Sequence, residues 1–288
     1  MEIPQKTLIN GFSMPVFGIG TWQMGGRHDR NTTNDATDIA AIRAAIDMGV
    51  THIDTAEVYA SGHAEELVGK AIRGYDRSKL FIASKVFADH MEHDALINAC
   101  TASLARVGTD YFDLYILHRH VPNVLLSETM AAMDELKNRE LIRNLGVSNF
   151  NTAALEESRR CATNPIVYNQ VHYNLEFREP EREGLLDYCQ KNDVFLAAWR
   201  PLEKGALLAD APQVLIEMCD KYKKTPAQIA INWLISQKNV VTLAKSSNID
   251  HLKENLGAIE WEMDTEDIER LRLEFPDQKD ISDAVPLA

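Results

Sequence analysis

Four residues of this sequence could together carry out acid–base chemistry. Asp54 lies near the end of one apolar run, Tyr59 just beyond it, Lys85 at the end of the next run and His118 at the end of the one after. A lysine ammonium withdrawn from water needs a counterion, because an unpaired buried charge costs several kcal/mol, and Asp54 can supply it. The same ammonium beside a tyrosine hydroxyl stabilises phenolate and is expected to lower the Tyr59 pKa from its reference of about 10. A tyrosine so tuned becomes a proton donor usable near neutral pH. Taken singly, each residue has a plainer reading. An Asp closing a strand is commonly a cap or a loop hydrogen-bonder, a His ending an apolar strand is commonly structural, and a loop Tyr says little. The weight lies in the joint arrangement, with Asp, Lys and His closing three successive strands.

The elements that would bring them together can be read from the apolar pattern. Strands are expected at Val16–Thr21, Thr51–Ala56, Phe81–Val86, Asp113–His118, Ile142–Ser148, Ile166–Val171, Val194–Trp199 and Val240–Ala244. Most are continuous apolar runs rather than alternations, as in parallel strands covered on both faces. Helical periodicity fills the gaps at Thr37–Met48, Leu96–Arg106, Ser127–Asn138, Asn151–Arg160, Glu181–Lys191, Gln213–Tyr222 and Ile249–Leu256, with a further helix after Asp264. Gly49 is a C′ stop for the first of these. Thr225-Pro226-Ala227-Gln228 reads as a capping box with Pro at N1, opening a helix to about Gln237. Lys6–Ile9, Asn10-Gly11 and Phe12–Met14 read as a hairpin with an Asn-Gly turn. Eight βα units without a linker or composition break imply one (β/α)8 barrel domain over residues 1–288, with an N-terminal hairpin and a short tail from Gln278 to Ala288. The competitor is a doubly wound sheet. It would need a Gly-rich dinucleotide turn, and Gly18-Ile-Gly20-Thr-Trp-Gln23 is only a partial match.

Composition narrows the partners. With 30 Lys+Arg against 43 Asp+Glu the net charge is −13, which argues against nucleic acid or an anionic membrane surface. No apolar run reaches the roughly 18 residues of a membrane helix, and the first residues lack a signal peptide's apolar core. Four Cys without a C-x-x-C pair suggest neither a zinc site nor a disulfide framework. His90 and His93 at i, i+3 spacing lack a third ligand and read as a solvated face, so no metal is expected. The expectation is a cytoplasmic protein, monomeric or weakly oligomeric.

In a parallel barrel, chemistry gathers at the carboxyl ends of the strands. Thr21 and Trp22, Asp54 and Tyr59, Lys85, His118, Ser148 and Asn149, Gln170, Trp199 and Arg200, and Lys245 and Ser246 occupy those ends or the loops just beyond them. This set resembles the aldo-keto reductases over essentially the whole chain. The resemblance is carried by Gly49-Val-Thr-His-Ile-Asp54-Thr-Ala-Glu-Val-Tyr59, Gly62-His-Ala-Glu65-Glu-Leu-Val-Gly69, Ser84-Lys85, Asp113-Leu-Tyr-Ile-Leu-His118, Gly146-Val-Ser-Asn-Phe150, Tyr168-Asn-Gln170 and Lys245-Ser246, in family order.

The resemblance implies NAD(P)H-dependent reduction of an aldehyde or ketone to an alcohol, reversible in principle. Tyr59 would donate the proton, Lys85 and Asp54 would tune it, and His118 would orient the carbonyl. It further implies cofactor contacts from Gly20, Thr21, Trp22 and Asp54, and a carboxamide site from Ser148, Asn149 and Gln170. Trp199 would stack on the nicotinamide. Arg200, Pro201, Leu202, Lys204 and Gly205 would meet the pyrophosphate, and Lys245, Ser246, Ser247, Asn248, His251, Glu254 and Asn255 the adenosine phosphate. The helix after Asn248 would offer free amides to an anion. Trp22, Tyr59, Phe87, His118, Arg119 and His120 would line the substrate pocket.

Departures from the family pattern mark specific points. His251 stands where NADPH-preferring members carry Arg, while Lys245 keeps NADP(H) ahead of NAD(H). Arg119 replaces a common aromatic after His118, and the short tail implies an open, tolerant pocket. Two other readings remain on this fold: a nucleotide-binding regulatory subunit and a cofactor-free aldolase or isomerase.

Overall fold

The computed structural model describes residues 2–205, 211–276 and 279–288. Ten strands are found among them. β1 (Gln5–Thr7) and β2 (Ser13–Pro15) pair antiparallel as a hairpin. The others are β3 (Phe17–Gly20), β4 (His52–Asp54), β5 (Phe81–Val86), β6 (Leu114–Leu117), β7 (Leu145–Ser148), β8 (Ile166–His172), β9 (Phe195–Trp199) and β10 (Val240–Ala244). These eight close into an all-parallel barrel in sequence order, β10 pairing with both β9 and β3. The continuous apolar runs thus have their expected cause, since barrel strands face side chains inside and helices outside.

Helices Asp35–Asp47, His93–Val107, Leu126–Asn138, Thr152–Cys161, Gln213–Tyr222, Pro226–Ile235, Ile249–Leu256 and Thr265–Glu274 lie where periodicity puts them, within a few residues. The capping box forms at Thr225 and Gln228, with Pro at the helix start.

Four local expectations need correction. The stretch 181–191 is two helices, Glu179–Arg182 and Leu185–Lys191, because Gly184 between them is left-handed at φ 70°. A helix absent from the sequence reading spans His63–Ala71. The hairpin is closed by three residues rather than an Asn-Gly pair. The Leu8 amide donates to the Phe12 carbonyl, and Gly11 takes φ 89° as a bulge residue. His90 ends a 3-10 turn (Ala88–His90) and His93 opens the next helix, so they share no helical face. They bind Glu57 and Asp94 respectively.

The hairpin plugs the amino-terminal end of the barrel. The Lys6 ammonium donates to the carbonyls of Ile235, Gln237 and Val240 at 2.6, 2.5 and 2.7 Å. Leu8 and Met14 join Ala83, Leu114, Ile116, Val167, Tyr168, Phe195, Ala197 and Val241 in one buried cluster. Gly18 is required there, since a Cβ would lie 2.4 Å from Nδ1 of the buried His52. With this end sealed, the polar residues are left to the opposite mouth. Among the described residues no helix is long and apolar enough to cross a membrane.

Candidate active site

Register brings the first three polar strand ends side by side. β4 pairs Asp54 with Gly20 and Ala83, and β5 pairs Lys85 with Ile116, two residues before His118. Asp54 and Lys85 point inward and are buried. The Lys85 ammonium donates to Asp54 Oδ1 at 2.5 Å, to the Thr55 carbonyl at 2.8 Å and to the Tyr59 hydroxyl at 3.3 Å. All three of its protons therefore have acceptors. The turn immediately after Tyr59 fixes it in place: Ala60, Ser61 and Gly62 are consecutively left-handed, at φ 50°, 54° and 87°. Non-glycine residues in this region cost of order 1 kcal/mol each, and the strained turn presents Tyr59 to the mouth. His118 stands beside it, the two rings 5.7 Å apart.

Burial reverses one expectation. It raises the Tyr59 pKa above its ordinary value. The Lys85 charge opposes this without cancelling it, and Asp54 adds to the rise. Tyr59 is therefore a protonated phenol held ready, and the phenolate is not favoured in this state. Burial also disfavours the Lys85 charge, but Asp54 and Tyr59 outweigh it and hold the ammonium above its usual range. His118 falls well below the usual histidine range through burial, with Lys85 and Arg119 adding to the effect. It is a neutral imidazole, and its buried Nδ1 has no hydrogen-bond partner among the described residues.

The pocket residues form an aromatic wall. Trp22 packs edge-on to Tyr59 at 5.0 Å, and Phe87 to His118 at 5.7 Å. The Arg119 guanidinium lies 4.7 Å from the centre of the Phe87 ring. His120 instead packs against buried Phe150.

The rest of the mouth holds the residues assigned to a dinucleotide, most of them already engaged. Thr21 donates its hydroxyl to the Asp54 carbonyl at 3.0 Å. The Gln170 amide nitrogen donates to Asp54 Oδ2 at 3.0 Å and to the Tyr168 hydroxyl at 2.9 Å, leaving its Oε1. Asn149, left-handed at φ 61°, donates to the His118 carbonyl and Ser148 Oγ and accepts from Trp199 Nε1 at 3.2 Å. Ser148 donates to the Gln170 carbonyl.

Trp199 is half-buried and stacks on His172 at 4.4 Å, which stacks on Phe177 at 4.1 Å. His172 is pinned by Glu203 through Nε2 at 2.8 Å and by Ser282 through Nδ1 at 2.9 Å. Burial would raise Glu203, but hydrogen bonds from His172 and Asn174 and the Lys279 charge hold it at about 2. Arg200 is ion-paired to Asp283, which Lys204 approaches to 3.6 Å. The loop carrying these cations is left-handed at Arg200, Glu203 and Lys204, ending at Gly205. Pro201 is buried and Leu202 half-buried behind it.

At β10, Lys245 and His251 are exposed. Ser246 bonds to the Asn248 backbone and Ser247 donates to buried Asp38 at 3.1 Å. The helix amides expected to be free are capped instead, since Asn248 Oδ1 accepts from Asp250 and His251. Glu254 and buried Asn255 lie further along that helix. Of the tail, Gln278 lies outside the described residues. Residues 279–288 run over the β7–β9 side of the mouth, Ala288 exchanging backbone hydrogen bonds with Asn149 and Asn151.

Sequence reasoning missed His172, Glu203, Ser282 and Asp283. His172 had a signal, since it lies two residues after Gln170 on the same strand and so on the same face. Asp283 had none. Among the described residues no group of three or more His, Cys, Asp or Glu could hold a metal ion.

Arg200 and Lys204 already converge on one carboxylate, so their geometry suits a shared anion such as a pyrophosphate. A cavity of 620 Å³ lined by Lys70, Arg73, Arg77 and Arg106 lies away from these residues, at the helices His63–Ala71 and His93–Val107.

Comparison with known proteins agrees with this geometry. The Aldo/keto reductase family model matches residues 16–273. Methylglyoxal reductase YeaE of Escherichia coli (strain K12) is 35% identical over 276 residues, covering 93% of each chain. Glyoxal reductase of Bacillus subtilis (strain 168) is 34% identical, over 92% of this chain and 90% of that protein. Among solved structures, the thermostable aldo-keto reductase Tm1743, in complex with the inhibitor epalrestat, superposes with a TM-score of 0.91 at 42% identity, covering 94% of this chain and 99% of that one. An aldo-keto reductase from Klebsiella pneumoniae in complex with NADPH gives 0.84 at 35% identity, over 97% and 98%. By sequence, topology and the residues gathered at the barrel mouth, this chain belongs to the aldo/keto reductase family.

Proposed function

We propose that this protein reduces aldehydes or ketones to alcohols with NADP(H), in preference to NAD(H), and that residues 1–288 act as one catalytic unit. The observation that carries the reading is the buried Asp54–Lys85–Tyr59 chain with neutral His118 beside it, open to one mouth. The NADPH complex of the Klebsiella relative, and the methylglyoxal and glyoxal reductases among the relatives, support it. So does the convergence of Arg200 and Lys204 on a single anion. The same reading takes the protein as cytoplasmic and monomeric or weakly oligomeric, with no nucleic acid or membrane partner.

A bound nicotinamide supplies hydride to the carbonyl carbon. The chain's own residues deal with the charge that then develops on oxygen. Tyr59, kept protonated by burial, gives its proton to that oxygen. Lys85 stabilises the phenolate left behind, and Asp54 keeps Lys85 charged and in place. Neutral His118 fixes the orientation of the oxygen by hydrogen bonding. Donors aimed in advance at developing charge need no reorganisation during reaction. Ser148, Asn149 and Gln170 would hold the carboxamide, Trp199 the ring, Arg200 and Lys204 the pyrophosphate, and Lys245 the adenosine phosphate.

The test is initial rates with NADPH and NADH across aliphatic, aromatic and dicarbonyl substrates, including methylglyoxal. NADPH-dependent turnover of several aldehydes is expected. Tight NADPH binding without turnover of any carbonyl compound would instead favour a regulatory subunit.

A further inference from the structure

The cations around the mouth differ in what they have to bind. Lys85 is neutralised by Asp54, and Arg200 and Lys204 share Asp283. Arg119 has no side-chain hydrogen bond or ion pair among the described residues, and its guanidinium lies over the Phe87 ring. Glu57, the acid that reaches the Phe87 backbone, already accepts from the Phe87 amide at 2.5 Å and from His90 at 3.0 Å. Phe87 in turn touches the His118 ring at 5.7 Å. The guanidinium is therefore one aromatic ring away from the group that would meet the carbonyl oxygen. Its charge is felt at His118, where it helps hold the imidazole neutral. The surface between them is the apolar Phe87 ring, edge-on to His118 and under the guanidinium, while Tyr59 and Trp22 continue the aromatic wall on the other side of His118.

Deepening the carbonyl-reductase reading and resting on it, we propose that Arg119 selects substrates bearing a carboxylate distal to the reacting carbonyl, across a planar or short apolar spacer. Arginine suits this role because its planar fork matches a carboxylate with two parallel hydrogen bonds and stays charged at any working pH. An anionic substituent finds there a cation with no other anion to displace. The carbonyl end remains at Tyr59 and His118.

The experiment compares kcat/KM for benzaldehyde and 4-carboxybenzaldehyde with NADPH in the unmodified protein, Arg119→Gln and Arg119→Lys. The unmodified protein is expected to favour the carboxylated aldehyde by about tenfold, the scale of a charge-assisted hydrogen bond. In Arg119→Gln that ratio should fall to near one, with the loss in KM rather than kcat, and Arg119→Lys should recover part of it. Raising the salt concentration should shrink the ratio only where the cation is present. A ratio that is the same in the unmodified protein and Arg119→Gln overturns the proposal while leaving the reductase reading intact. Failure of the unmodified protein to reduce either aldehyde overturns both.

Discussion

The two sides of the barrel mouth are built differently. On the β4–β6 side, Asp54, Lys85 and Tyr59 are satisfied by one another, and the bonds they make are those the proposed reaction uses. On the β7–β10 side, groups assigned to the dinucleotide are held by substitutes from the chain itself. Asp283 sits on Arg200 and Lys204, Asn248 on the helix amides, and Asp38 on Ser247. On the proposed reading the first side is preorganised and would react without rearranging. The second would exchange partners when a cofactor arrives, and its apparent affinity would be reduced by the fraction of time the substitutes hold.

The sharpest way to break this comparison is at Tyr59. If the β4–β6 side is the finished acid, Tyr59→Phe should lower turnover 10²-fold or more while leaving NADPH binding, read by fluorescence titration, nearly unchanged. Its pH profile should carry the mark of burial. Reduction needs the protonated phenol, and burial raises the pKa, so the rate should stay level through neutrality and fall only above the ordinary tyrosine range. Alcohol oxidation needs the deprotonated form and should rise with pH over the same interval. His118, held well below the ordinary histidine range, should contribute no limb near pH 6.5. Appreciable activity in Tyr59→Phe would remove it as the acid. A limb near pH 6.5 that disappears on replacing His118 would show that the imidazole is not neutral in the working enzyme.

The same contrast governed what the sequence could reveal. Strands buried on both faces leave continuous apolar runs, so the barrel was readable, and with it the strand-end residues of the β4–β6 side. The helix His63–Ala71 was not, because it is short and two of its polar residues, His63 and Glu65, are buried. Glu65 is fully buried, accepts from Ser84 at 2.5 Å and pairs with Arg106, so a charged residue stands on the inward face. Gly69, an apparent helix breaker, lets the next helix approach, since a Cβ there would lie 2.4 Å from the Val107 carbonyl. The substitutes on the β7–β10 side left no trace either. Asp283 meets Arg200 across more than 80 residues, and nothing in the tail's composition marks one exposed aspartate for that position. Even the sign of the Tyr59 shift depends on a burial that no local motif encodes.

A second prediction probes the far end of the cofactor side. His251 is exposed, with no side-chain partner among the described residues, on the first turn of the helix Ile249–Leu256. His251→Arg would add a permanent cation beside Lys245 where a 2′-phosphate would lie. A charge-assisted hydrogen bond is worth about 1.5–3 kcal/mol, and at this exposed position its lower end, roughly a tenfold tightening of NADPH, is expected, with little change for NADH. Dissociation constants for both cofactors decide it. Equal effects on the two would mean that position 251 does not face the 2′-phosphate.

The smallest expected effect tests the substitution idea itself. Asp283 is exposed, and its pairing with Arg200 pulls its carboxyl below the ordinary range, so it is an anion at any working pH. Asp283→Asn removes that competing charge. The strap keeps its other anchors, from Ser282 to His172, Lys279 to Glu176, and Ala288 to Asn149 and Asn151. Exposed ion pairs contribute at most about 1 kcal/mol, so cofactor binding should tighten only about two- to fivefold. The pattern matters more than the size. Pyrophosphate is common to NADPH and NADH, so both should gain equally, unlike the selective gain at position 251. Rising salt should also narrow the gap between Asp283→Asn and the unmodified protein, because screening weakens the competitor along with the ligand. Unchanged affinity for both cofactors would mean that Arg200 and Lys204 bind the dinucleotide without giving up Asp283. The β7–β10 side would then be as preorganised as the β4–β6 side.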